Sequence, residues 1–191
     1  MAYTTIDKST DYFNTVLWTG DGTSSRDITN VGHQPDFTWI KQRSGVFSHV
    51  LSNSVSGDNK FLSSNGNGAE GTDSSKFRTF VSDGFQVGSH ASVNANLDTY
   101  VGWSWLCNGG TTSSNTDGST SSNVSVNSTS GFSIVTYTGT GSTTSVGHGL
   151  GAKPDFIISK LLSGGDWNVY HDSFASQERI KLNSTAAKTT N

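Results

Sequence analysis

The chain has 191 residues, of which 31% are hydrophobic and 14% charged, with 22 glycines and a formal net charge of −3. Sparse charge joined to 10% aromatic residues excludes an ordinary disordered tail, which combines low hydrophobicity with high net charge. Twelve Lys and Arg with no basic run argue against nucleic acid as a partner, and a single cysteine, Cys107, excludes a disulfide framework and fits a reducing compartment.

Residues 1–13 form a polar lead in which Tyr3, Ile6, Tyr12 and Phe13 are candidate anchors. The lead has neither the basic flank nor the apolar run of a secretion signal, and no apolar segment of the chain is long enough to span a bilayer. A place outside the cell is therefore expected to be reached by lysis or within a particle.

Thr15-Val16-Leu17-Trp18-Thr19 reads as a short strand entering the glycine turn Gly20-Asp21-Gly22. Val31-Gly32-His33-Gln34-Pro35-Asp36-Phe37-Thr38-Trp39-Ile40-Lys41 follows, a proline start to a β-branched and aromatic strand. Further short strands are expected around 49–54, 60–64, 77–80 and 85–88, with a turn at Ser82-Asp83-Gly84. Thr99-Tyr100-Val101-Gly102-Trp103-Ser104-Trp105 has the clearest alternation, with Val101, Trp103 and Trp105 on one face, and reads as a core strand.

Residues 107–130 carry few side chains that could be buried and read as a Gly/Ser/Thr/Asn connector, with Val124-Ser125-Val126 as a short strand near its end. Beyond it the pattern starts again. Val146-Gly147-His148 and Lys153-Pro154-Asp155-Phe156-Ile157-Ile158 repeat the earlier stretch, and the chain's only two prolines occupy the same place in it. Asp36 and Asp155 lie 119 positions apart, so the counterpart of Trp103-Ser104-Trp105 would fall beyond Asn191. The second copy is thus expected to lack its last strands, the chain being a fragment or its open edge being covered by another chain. A helical turn is expected only over Phe174-Ala175-Ser176-Gln177-Glu178-Arg179-Ile180.

No motif nominates a catalytic, cofactor-binding or metal-binding residue, and no cofactor is expected. Gly20-Asp21-Gly22 and Gly139-Thr140-Gly141 precede no helix pattern and read as tight turns rather than phosphate loops. His33, His49, His90, His148 and His171 show no ligand spacing, and the repeat equivalence of His33 and His148 favours a turn role bonded to nearby backbone. Asp36 and Asp155 read as strand-start carboxylates bonding local N–H groups, and no paired carboxylates or Gly-x-Ser-x-Gly elbow point to hydrolysis. Trp18, Trp39, Trp103 and Trp105 read as core, while Trp167, following Gly164-Gly165-Asp166, is the best candidate for an exposed sugar-stacking ring.

Thr15-Val16-Leu17-Trp18-Thr19-Gly20, the stretch Val31 to Lys41, Ser82-Asp83-Gly84-Phe85 and Tyr100-Val101-Gly102-Trp103-Ser104-Trp105 resemble a family of marine tailed-bacteriophage proteins. The opening Met1-Ala2-Tyr3-Thr4-Thr5-Ile6-Asp7 is similar to the usual start of such proteins. They are built from a repeated domain of unknown function similar to LamG-like jelly rolls. Asn53 stands where that pattern commonly has aspartate and Ser56 where it commonly has arginine, whereas Asp172 of the second copy keeps the acid.

The resulting expectation is an all-β chain of two related antiparallel β-sandwich (jelly-roll-like) units. The first covers 1–106, a linker 107–130, and the second, incomplete at its C-terminus, 131–191. The resemblance implies a non-enzymatic virion protein of an appendage, a tail fibre, tail-associated protein or capsid decoration, assembled in the host cytoplasm and acting in assembly and host adhesion. Its expected partners are other virion proteins and further copies of itself, with no nucleic acid and no membrane insertion. The alternative is a carbohydrate-binding module recognising host surface glycans.

Overall fold

The computed structural model describes residues 6–190, so Tyr3 lies outside the described part of the chain. Among the described residues the structure is β throughout apart from one 3-10 turn, Ser9–Asp11. The first half contributes β1 (Phe13–Thr19), β2 (Arg26–Ile28), β3 (Phe37–Gln42), β4 (Val50–Asn53), β5 (Lys60–Phe61), β6 (Gly71–Thr72), β7 (Phe77–Val81), β8 (Gly84–Val87) and β9 (Thr99–Trp105). An antiparallel sheet in the order β1-β9-β3-β4 faces a smaller one, β2-β8-β7, and the apolar residues of both meet between them in a sandwich-like core.

That core is filled by Val16 and Trp18 from β1, Ile40 from β3, Val50 from β4 and Tyr100 from β9, against Ile28, Phe77, Phe85 and Val87. Trp18 stacks on Tyr100 at 5.4 Å and meets the edge of Phe85 at 5.9 Å. Each such ring removes enough apolar surface from water to contribute about 1.5–3 kcal/mol. Their polar tips are satisfied. The Trp18 indole N–H donates to the Val93 carbonyl at 3.0 Å, and the Tyr100 hydroxyl donates to the Ala91 carbonyl and accepts the Ala95 N–H, both at 2.8 Å. The 88–98 loop is thereby tied over the end of the core.

The face that β9 turns to this core is the opposite of the one its bulkiest residues suggest. Tyr100, Gly102 and Ser104 lie inward, and Trp103 and Trp105 stand half-buried on the outer face. Gly102 is opposite both Val16 and Ile40, and a Cβ there would press on the Phe85 and Trp18 rings, so the neighbouring aromatics occupy the space its side chain leaves. The β7–β8 hairpin needs its glycine too. Gly84 has φ 151°, and a Cβ there would overlap the Ile28 carbonyl oxygen.

Within the stretch read as a connector, β10 (Ser113–Asn115) and β11 (Ser122–Asn127) are strands, and they form an antiparallel sheet with β12 (Phe132–Tyr137). β11 contains the expected strand Val124-Ser125-Val126, with Val124 and Ser125 buried, whereas the polar β10 is held by backbone pairing and not by side-chain burial. The remaining strands are β13 (Phe156–Ser159), β14 (Asn168–His171), β15 (Glu178–Lys181) and β16 (Thr189–Thr190), paired in that order. The expected helical turn over 174–180 is instead a tight turn into β15. Gln177 takes a left-handed φ of 68°, which ends any helical path, and the Glu178 carboxylate accepts the Ala175 N–H at 2.7 Å.

With an offset of 119 positions, β12 falls on β1, β13 on β3, β14 on β4, β15 on β5 and β16 on β6. Among the described residues no strand corresponds to β2, β7, β8 or β9. One detail also differs. Phe37 pairs with Asn53, but Phe156 pairs with His171 rather than Asp172, so the β13–β14 register has slipped by one residue. Register is strongly specified where one face of a strand is buried, and β13 is exposed along its whole length.

Candidate interaction surface

The two aspartates that follow the prolines have opposite surroundings. Asp36 is fully buried, and its carboxylate accepts the N–H groups of Cys107 (2.7 Å), Gly109 (2.9 Å) and Gly110 (2.6 Å) and the Ser54 hydroxyl (2.7 Å). Its own N–H donates to the Trp105 carbonyl at 2.8 Å. The three N–H donors lie more than 70 residues away and the Ser54 hydroxyl 18 residues away, none of them in the local turn that the sequence suggests. Asp36 therefore clamps the chain just after β9 and has no free oxygen for chemistry. Asp155 is exposed; its carbonyl accepts the Asp172 N–H at 2.8 Å, and among the described residues no donor bonds its carboxylate.

Cys107 is as inert as its neighbour. Burial first, and the Asp36 charge second, push its thiol up to about 12, so the nucleophilic thiolate is absent at neutral pH.

The histidines stay apart. The His33 ring N–H donates to the Thr10 carbonyl at 3.3 Å, a distant partner, whereas His148 accepts the nearby Leu150 N–H at 3.2 Å. His49 accepts the Trp39 indole N–H at 2.7 Å, and His90 and His171 each cap their own turns through Ser92 and Ser173. Desolvation holds His33, His49 and His90 below the ordinary imidazole range, with Lys41 adding to the effect at His49 and Lys76 at His90. Among the described residues no group of three or more His, Cys, Asp or Glu is placed to hold a metal ion, and no helix is long and apolar enough to cross a membrane.

Gly22 and Gly141, the second glycines of the two Gly-x-Gly turns, both take left-handed φ near 70°. Asn53 and Ser56 keep a neutral version of the pair suggested by the resemblance: Asn53 accepts the Ser56 N–H at 2.9 Å and donates to its hydroxyl at 3.1 Å. Asp172 pairs with Lys153.

Trp167 is not an exposed ring. It is 5% accessible, packs with Leu51 and Leu62 beside Phe37 and Trp39, and donates its indole N–H to the Ser63 and Gly66 carbonyls at 3.0 and 3.2 Å. The reason is docking across the repeat. Gly165 N–H donates to the Asn67 carbonyl and Glu70 N–H to the Leu162 carbonyl, both at 2.8 Å, which buries the tryptophan between the two loops. A second seam runs through aromatic rings: Phe132 lies 6.0 Å from Trp105 and 6.2 Å from Phe37.

What the fold does present is apolar surface in two places. At the tip of the first half, Val46 is 100% exposed, with Phe47 next to it and Leu97 in the adjoining loop at φ 68°. Ser44 ties the two loops, its hydroxyl donating to Asp98 at 2.9 Å and accepting the Thr99 N–H at 3.1 Å. In the second half, Tyr137, Phe156, Ile157, Ile158, Leu161 and Leu162 are all exposed, where their counterparts in the first half meet β9 or the core. β12 and β13 are both edge strands, each paired on one side only. Exposed aliphatics on an unpaired strand are a surface for another strand.

Among curated proteins and among solved structures nothing matches this chain. A family model does match it, across residues 8–191, and the chain belongs to that family, described as a domain of unknown function, DUF7483.

Proposed function

We propose that the chain is a non-enzymatic structural protein of a bacteriophage virion, part of an appendage such as a tail fibre, tail-associated protein or capsid decoration, working in assembly and host adhesion. The observation that carries this reading is the apolar surface held outside the core, Phe156, Ile157 and Ile158 along β13 and Val46, Phe47 and Leu97 at a loop end, which suits contact with other chains. The Val46, Phe47 and Leu97 tip offers a separate contact surface at a loop end, where sandwich proteins carry recognition without disturbing the core. The resemblance to tailed-phage proteins supplies the setting.

Mass spectrometry of density-purified particles, from the culture that encodes the chain, tests the reading. The expected result is the chain at stoichiometric level in intact particles, with antibody against it labelling an appendage in negative stain. Its absence from particles, with the protein confined to the soluble lysate, overturns the proposal. The adhesion component is read separately: Val46→Asp together with Phe47→Ser is expected to lower particle adsorption to host cells at least about tenfold while assembly is unchanged, a loss of about 1.4 kcal/mol in binding.

A further inference from the structure

Three of the five tryptophans donate the indole N–H to a protein acceptor: Trp18 to the Val93 carbonyl, Trp39 to His49, and Trp167 to the Ser63 and Gly66 carbonyls. Trp103 and Trp105, half-buried on the outer face of β9, have no acceptor among the described residues. A tryptophan whose ring is buried usually pairs that N–H. Trp105 lines a cavity of about 260 Å³, where the Ser9–Asp11 turn, the adjoining ends of β1 and β9, and the turn between β11 and β12 meet. Tyr12, Phe13 and Phe132 line it too, with Ser9 and Ser130, and no lining residue is charged. Among the described residues the Tyr12 and Ser9 hydroxyls, like the Trp105 indole, have no hydrogen-bond partner.

The surroundings hold these groups in place. The Trp105 ring lies 4.8 Å from Phe13, 5.3 Å from Phe37 and 6.0 Å from Phe132 between centroids. Beside it, the Tyr12 carbonyl accepts the Leu106 N–H at 2.8 Å, which fixes the lead against the end of β9. Across the cavity Asn127 ties down the far turn. Its side chain accepts the Ser130 N–H at 3.0 Å and donates to the Cys107 carbonyl at 3.1 Å. A site whose parts are already fixed loses little freedom when a ligand arrives.

We propose that this cavity binds one neutral pyranose ring. The ligand class follows from the lining. An indole N–H can only donate, so its ligand must carry an acceptor, which a hydrocarbon or an ammonium lacks. An anion would accept, but no lining Lys, Arg or His offsets its charge. A neutral sugar meets both demands. Its hydroxyl oxygens accept from Trp105 and exchange hydrogen bonds with Tyr12 and Ser9, while its C–H face packs on the electron-rich aromatic faces. The volume falls just under the range of about 300–1,000 Å³ for drug-sized pockets, enough for a single ring. Trp105 at the seam thus takes the part for which the sequence nominates Trp167. The inference goes beyond the virion reading and does not rest on it.

Nitrogen–proton NMR of the full chain, in which each indole N–H gives its own signal, tests this by titration with methyl glycosides of glucose, galactose, mannose and N-acetylglucosamine into the millimolar range. At least one glycoside is expected to shift the Trp105 signal saturably while those of Trp18, Trp39 and Trp167 stay in place. Trp105→Phe identifies that signal, keeps a ring against Phe13, Phe37 and Phe132, and removes the donor. Saturation transfer to the sugar protons should then show binding weakened at least about tenfold. Tyr12→Phe removes one hydroxyl that bonds nothing in the fold, so the protein stays folded, and should weaken binding about threefold or more. The proposal is overturned if no glycoside moves the Trp105 signal, or if both variants bind as the unaltered chain does. It is also overturned if cyclohexanol, a ring of the same size with one hydroxyl, or glucuronate, which carries a charge, binds more tightly than every glycoside. Those outcomes would assign the cavity to an apolar or an anionic ligand.

Discussion

The two copies of the Pro-Asp-Phe strand share a sequence pattern and differ in almost everything that surrounds it. In the first, Thr38 and Ile40 are buried, β9 and β4 flank the strand, and Asp36 is bonded by four donors. In the second, the four residues of β13 are exposed, one edge is bare, and Asp155 faces water. The difference teaches that a local pattern specifies the strand, whereas burial, register and the role of the acid come from the element laid beside it.

The sharpest way to break the comparison is to treat both acids alike. Asp36→Ala leaves the buried Cys107 N–H, the part-buried Gly109 and Gly110 N–H groups and the Ser54 hydroxyl without their acceptor. At about 1–3 kcal/mol for a buried stranded group, and less for those that water can reach, the expected loss is about 3 kcal/mol. Asp155→Ala, with no donor to strand, should leave the melting curve where it was. Chemical denaturation of the two variants checks this. Equal losses would mean that Asp155 is clamped as Asp36 is, and the two copies would no longer be opposites.

Next in size is the seam between the copies. Trp167→Ala empties a site lined by Leu51 and Leu62 and removes the donor to the Ser63 and Gly66 carbonyls, an expected cost of about 3 kcal/mol. The loss should appear locally first. Amide exchange at Glu70 and Gly165, whose N–H groups bridge the same loops, is expected to accelerate while that of β1, β3 and β9 keeps its protection. An unchanged exchange pattern would show that the second half holds its place without the tryptophan.

The behaviour of Trp167 also marks the boundary of what the sequence made legible. Strands with alternation and a clear start, β1, β3 and β9, can be read directly, and the 119-residue offset carries β12, β13, β14 and β15 with them. The all-β class follows from these. Hidden were features decided by distant partners. Trp167 sits in a Gly-rich loop that looks solvated, and its burial depends on a loop about 100 residues earlier. The N–H donors to Asp36 lie beyond β9. β10 is written in Ser and Asn, so no hydrophobic period announces it, whereas Val124 and Val126 make β11 readable. Gly102 faces the core because the Trp18 and Phe85 rings fill the space beside it, and Ser104 lies buried on the same face, a reversal that the bulk of Trp103 and Trp105 conceals.

The smallest effect separates the copies by how they hold their surface carboxylates. In the first, Asp21 is lowered to about 2, chiefly by the Thr23 N–H and hydroxyl; Asp73 and Asp83 are lowered by Ser75 and by the Asn30 and Gly32 N–H groups respectively. In the second, Asp166, Asp172 and Glu178 are lowered first of all by Lys181, Lys153 and Lys188. All six bind protons less readily folded than unfolded. Their stabilisation is therefore complete above the ordinary carboxylate range and lost as pH falls through the folded values, down to about 2 at Asp21. Salt distinguishes the donors. Raising NaCl to about 0.5 M shortens the screening length to a few ångströms and weakens exposed ion pairs, but leaves short hydrogen bonds from uncharged N–H and O–H groups largely alone. Carboxyl-carbon NMR titrations at low and high salt should show Asp166, Asp172 and Glu178 moving up toward ordinary values while Asp21, Asp73 and Asp83 stay in place. If all six move together, the lysines and the backbone donors act alike, and the two halves differ only in the strand between them.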